Sequence, residues 1–151
     1  MKKQKINHED WIVVCDGRKA LILRNAGDEL YPNLKMVEVH EHDDAQTRAL
    51  GADRPGRVHS AAVSGQAARS AVEQTDLHDA AERTFLKALA ERLDKAVVAG
   101  EAHAIHMVAP PRALGVLRQA YSPALRGKLR GEFEHEYVKL PVNEIERRLF
   151  A

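Results

Sequence analysis

The sequence predicts an α/β domain, a mixed five-stranded sheet with helices packed on it in the order βββαβαβα. Three observations carry this expectation. Two short β-type runs flank an Asp16-Gly17 turn signal, and an alternating third run follows. Beyond a long polar stretch, segments of helical period alternate with strand-type segments. A hairpin-led antiparallel edge joined to right-handed crossovers then gives a mixed sheet.

Trp11-Ile12-Val13-Val14-Cys15 is apolar at every position, which suits a strand buried on both faces and central in the sheet. Asp16-Gly17 turns the chain, and Ala20-Leu21-Ile22-Leu23 resumes the apolar pattern. Asn25 to Asn33 is rich in turn formers, and Leu34 to Val39 alternates as a half-exposed third strand. From Glu41 to His78 the periodicity vanishes. Gly51, Pro55, Gly56 and Gly65 punctuate the stretch, so a single long basic loop is expected there. Asp76 is a candidate N-cap. From Asp79 to Ala99, Phe85, Leu89, Leu93 and Ala96 or Val97 recur on one helix face, and Gly100 is a fitting stop. Ala104 to Ala109 is a buried-type strand ended by Pro110-Pro111. Pro111 suits the first turn of a helix running to about Tyr121. Ser122-Pro123 opens a short helical piece by the same logic. Glu132 to Val138 alternates again, and Pro141 to Phe150 reads as a closing helix with Ile145 and Leu149 inward. Residues 1–151 are expected to form one domain.

The 151 residues suit one substantial core. With 23 Lys+Arg against 22 Asp+Glu, no global field favours nucleic acid or membrane, so any such preference must be local. Cys15 is the single cysteine, which excludes an intramolecular disulfide. The apolar run from Trp11 to Cys15 is five residues long and is broken by Asp16, too short for a signal peptide or a span. A cytoplasmic location without membrane contact is expected.

The element order is shared by ribonuclease-H-like folds. Nucleases of that kind hold metal with carboxylates at strand ends. Asp16 is one candidate, but the strand ending at Ala109 runs into prolines, which disfavours a two-metal nuclease. His40 and His42 share a face on an extended strand, beside Glu41, Asp43 and Asp44, and are the metal candidates; a third ligand is not evident. His106 in an apolar strand reads as a core histidine and Cys15 as packing. No P-loop, dinucleotide fingerprint or nucleophile elbow is present, so no cofactor is expected.

Several segments together resemble the bacterial host-attachment protein family. They are Trp11 to Ala20, Asp53-Arg54-Pro55-Gly56-Arg57, Thr75-Asp76-Leu77-His78, Phe85 to Leu93, and Val108-Ala109-Pro110-Pro111-Arg112-Ala113-Leu114-Gly115-Val116-Leu117-Arg118. The resemblance covers nearly the whole chain. It implies a likeness to the middle domain of the archaeo-eukaryotic release factors and of pelota-type rescue proteins. In release factors a Gly-Gly-Gln motif between the third strand and the long helix helps a water attack peptidyl-tRNA. Ser64-Gly65-Gln66 falls in the corresponding place, with serine for the first glycine. The resemblance thus implies tRNA or the ribosome as partner, and Gln66 with Gly65 as the catalytic candidates of a peptidyl-tRNA hydrolase.

Local charge points elsewhere. Arg48, Arg54, Arg57 and Arg69 face one acid, Asp53, between positions 48 and 69. Arginine forks beside glycines suit phosphate oxygens. Arg112, Arg118, Arg126, Lys128 and Arg130 follow one another with no acid between them. If they adjoin the loop, the two groups make one positive patch for RNA, without DNA sequence specificity. The plain alternative is a set of solvated faces. The expectation is a non-catalytic RNA- or ribosome-binding domain; its rivals are hydrolysis through Gln66 and a pure protein-interaction module.

Overall fold

The computed structural model describes residues 5–42 and 64–151, with residues 64–76 described by their backbone alone. Strand β1 is Trp11–Cys15, β2 Lys19–Asn25 and β3 Leu34–Glu41. Helix α1, Ser64–Val98, precedes β4, Ile105–Ala109. Helices α2, Pro111–Ala120, and α3, Pro123–Lys128, lead into β5, Leu129–Glu134, and α4, Val142–Phe150, follows.

The strands form one mixed sheet in the order β3-β2-β1-β4-β5. The pairs β1/β2 and β2/β3 are antiparallel, whereas β1/β4 and β4/β5 are parallel. The apolar run Trp11–Cys15 is central, as its two-faced hydrophobicity predicts. Strand alternation divides the core. Trp11, Val13, Cys15, Ile105 and Met107 face α1, α2 and α3, with Leu86, Leu93, Leu114, Leu117 and Leu125 against them. Ile12, Val14, Leu21, Leu23 and Val108 lie in a second cluster with Ile6, Val138 and Ile145 of α4. The result is three layers, α/β/α. Leu93 is fully buried, and burial of such a side chain is worth roughly 1.5–3 kcal/mol.

Local rules set most boundaries. Asp16 Oδ1 accepts the backbone N–H groups of Arg18 at 2.8 Å and Lys19 at 2.9 Å, which closes the β1–β2 turn. Gly100, at φ +78°, ends α1, and the Glu101 N–H donates to Ala96 O at 2.8 Å. Ser122 caps α3 by accepting the Leu125 N–H at 3.0 Å. The short helical piece expected to open at Ser122-Pro123 is α3.

Two expectations change. The loop expected from Glu41 to His78 is shorter, because α1 begins at Ser64 rather than after Asp76. Residues 64–74 lack large apolar side chains but are rich in alanine, glutamine and other helix formers, so propensity favours a helix where hydrophobic periodicity is silent. The last strand, expected from Glu132 to Val138, is Leu129–Glu134. His135 and Tyr137 instead stack 4.5 Å apart beyond it.

Candidate functional site

In a sheet of this order, β1 connects toward one edge and β4 toward the other. Their parallel carboxyl ends therefore diverge around a crevice, the usual location of ligand sites in open α/β sheets. The Asp16-Gly17 turn follows β1 there, Pro110 follows β4, and β3 also finishes at this end, where the His42 N–H donates to Arg18 O at 2.6 Å. A crevice of about 260 Å³ opens between these ends, lined by Gly17, Asp79, Glu82, Leu86, Arg112 and Glu136 among others. Gly17 permits the close approach of α1, since a Cβ there would lie 2.8 Å from Glu82 Cγ. Arg112 Nη2 lies 2.5 Å from Asp79 Oδ1 and 3.8 Å from Glu82 Oε2. These carboxylates raise the already high pKa of Arg112, chiefly through the Asp79 hydrogen bond. The crevice is thus a mixed-charge rim over an apolar floor. Arg18, His42, His78, Ala81 and Glu82 line a second, adjoining crevice.

The predicted cations do not form one patch. Helix α2 runs back from the carboxyl end of β4 to the opposite end of the sheet, because a crossover must return the chain to start the next parallel strand. Arg112 sits at the crevice, whereas Arg126, Lys128 and Arg130 are exposed where α3 enters β5, at the far end. Arg118 is held by Glu132, Nε to Oε1 3.1 Å, although the acid lies fourteen residues away in sequence. Arg126 lies over the Tyr121 ring at 5.8 Å, and Arg130 donates to Gly127 O at 3.0 Å. Among the described residues, no carboxylate lies within 4.0 Å of the cationic groups of Arg126, Lys128 or Arg130.

Arg48, Arg54 and Arg57 lie outside the described residues. Gly65, Gln66 and Arg69 fall in the first turns of α1, so the backbone at the Gly-Gln pair is helical and not the loop expected of it.

His40 and His42 have different neighbours. His40 Nε2 lies 2.7 Å from Glu38 Oε2, while His42 lies past the strand end with its ring 6.4 Å from that of Phe85. Among the described residues no group of three His, Cys, Asp or Glu is arranged to hold a metal ion. Glu38 also receives the Arg92 guanidinium, with Nε to Oε1 at 3.1 Å, and this bond holds its carboxyl below the usual range. Arg92 thereby ties α1 to the sheet edge. Cys15 is fully buried; burial first, then the Asp16 charge, pushes its thiol up to about 12, which suits packing and not nucleophilic attack. His106, 0% exposed, meets Asp10 Oδ2 at 2.9 Å, the satisfied core histidine that its strand predicts at one ring nitrogen; its Nδ1 has no partner among the described residues.

Sequence reasoning missed Arg18, Asp79, Glu82 and Glu136 as crevice residues. Asp79 and Glu82 carry one signal, a three-residue spacing that places both on one helix face. Arg18 and Glu136 carry none, because only strand pairing brings their segments together.

The model of a family described as "Protein required for attachment to host cells" matches residues 11–149. No curated protein matches the chain.

Proposed function

The chain belongs to the family of proteins required for attachment to host cells, and from that premise we propose that it is a non-catalytic binding domain that engages RNA or the ribosome in the cytoplasm. The observation that carries this reading is the pair of adjoining crevices where β1 and β4 diverge, one lined by Arg83 and Arg112 and the other by Arg18. The chain leaves β3 at His42 beside these crevices. The arginine-rich segment holding Arg48, Arg54 and Arg57 follows directly in sequence. Phosphate contacts supply most sequence-independent affinity for nucleic acid, so clustered guanidinium groups are the feature such a partner requires.

The likeness to release-factor middle domains belongs to the same proposal. Binding is preferred over hydrolysis through Gln66 because Ser64 replaces a glycine and the backbone at Gly65-Gln66 is helical. A helix ties those backbone groups into its own ladder and removes the freedom that paired glycines confer. Attachment to host cells then follows indirectly, from an effect on the bacterium's own translation.

The test is capture of partners from lysate by the intact protein, with and without ribonuclease, at low and high salt. RNA-dependent partners that dissociate as salt rises are expected. A single protein partner that survives ribonuclease and salt would replace RNA binding with a protein-interaction role.

A further inference from the structure

Beside the main crevice, the smaller one lined by Arg18, His42, His78, Ala81 and Glu82 gathers two imidazoles and a guanidinium from three separate elements. Arg18 comes from the β1–β2 turn, His42 from the end of β3 and His78 from α1. A further cavity shares Arg18 and His42 and adds Lys19 and Glu41 to its lining, so Arg18 and His42 border both cavities. We propose that Arg18, His42 and His78 form a subsite for a phosphate group. The inference rests on the RNA-binding reading and names the chemistry by which that end of the sheet would take its ligand.

Three features support it. First, the positions of Arg18 and His42 are built by the backbone. Asp16 Oδ1 accepts the Arg18 N–H, and Arg18 O accepts the His42 N–H. The two side chains therefore leave a braced corner of the sheet and not a free loop. Second, these three groups lack an acidic partner among the described residues. Among the described residues, no carboxylate lies within 4.0 Å of the Arg18 guanidinium or of either ring. Lys19 is instead paired with Glu41 at 3.7 Å. The one carboxylate lining the crevice, Glu82, lies 3.8 Å from Arg112, which offsets its charge. Third, Nδ1 of His42 is buried without a hydrogen-bond partner among the described residues. Buried polar atoms are rarely left so, and a bound water or ion is one way in which such an atom is satisfied.

A guanidinium fork with two imidazoles beside it can meet several oxygens of one phosphate ester at once. The phosphate could come from an RNA backbone or from a free ester, and the two sources are separable. The experiment titrates the intact protein with inorganic phosphate, a nucleoside monophosphate and a short single-stranded RNA. Imidazole NMR signals are followed, and RNA affinity is measured over a salt series. Wild type is compared with Arg18→Ala/His42→Ala and with His78→Ala, each checked for an unchanged unfolding curve.

Phosphate should move the His42 and His78 signals and leave those of His103 and His106 in place. The double variant should bind RNA about tenfold more weakly, and its salt dependence should be shallower by about one phosphate contact. Saturable binding of phosphate and the nucleotide without RNA binding would keep the subsite, assign it to a free ester and remove the RNA reading. Phosphate that leaves the His42 and His78 signals unmoved overturns the subsite. So does a double variant that binds RNA as wild type does, and in that case the RNA reading survives.

Discussion

Asn25 holds the β2–β3 connection with both ends of one amide. Its Nδ2 donates to Ile6 O at 3.2 Å and Asp28 O at 3.1 Å, and its Oδ1 accepts the N–H groups of Gly27 and Asn33, each at 3.0 Å. The residue is fully buried, so water cannot replace these partners. Asn25→Ala is expected to destabilise the fold by roughly 2–4 kcal/mol, measured as a lowered midpoint of urea unfolding at constant slope. A loss under about 1 kcal/mol would show that the loop repacks without the amide. In the sequence Asn25 looks like one turn former among several. What separates it is the arrival of Ile6 from before the first strand, a contact nineteen residues away. Asp16, Gly100 and Ser122 were legible because each acts on its own backbone neighbours.

Among the elements, α1 and α4 show two different sources of helix stability. The described face of α1 is anchored by Leu86, Leu89 and Leu93, while its first turns rest on alanine-rich propensity. That difference is why hydrophobic period located only the second half of the helix. Helix α4 carries Ile145 inward and Glu144 in its first turn. The Arg147 hydrogen bond, then that of Arg148, holds the Glu144 carboxyl down at about 2, against an ordinary value of 4.5. The folded form thus favours the carboxylate. Its stabilising contribution is complete above 4.5 and is lost as pH falls toward 2. The group is close to solvent, so the effect on global stability is small and the titration itself is the readout. An NMR titration should place the Glu144 midpoint near 2, rising toward 4.5 in Arg147→Ala/Arg148→Ala. A wild-type midpoint already at the ordinary value would mean that the pair does not persist in solution.

At the scale of the molecule, the sheet has two chemically different ends. One gathers Arg18, His42, His78 and Arg112 around the crevices; the other presents Arg126, Lys128 and Arg130. In the linear sequence, Arg112 and Arg130 belong to one acid-free run. The ten residues of α2 separate them by about 15 Å of helix. Charge reversal at one end should therefore act alone. Arg112→Glu is expected to weaken RNA binding, whereas Arg126→Glu/Lys128→Glu should change it less than about twofold at equal salt. If the far-end variant is the one that loses affinity, the binding surface lies at the α3–β5 corner and the crevice is not its centre.

Periodicity and turn chemistry were enough to determine the class of the fold, the central place of Trp11–Cys15, the hairpin, the buried histidine and cysteine, and most helix ends. These follow from interactions within a few residues, or from how many faces of a segment must be apolar. Tertiary structure alone decided that Asp79, Glu82 and Glu136 meet Gly17 and Arg112 in one crevice. It alone decided that Glu132 reaches Arg118 and that the expected basic patch divides between two ends. Strand order and crossover direction set those meetings, and both depend on which distant segments pair, information that no local window of sequence contains.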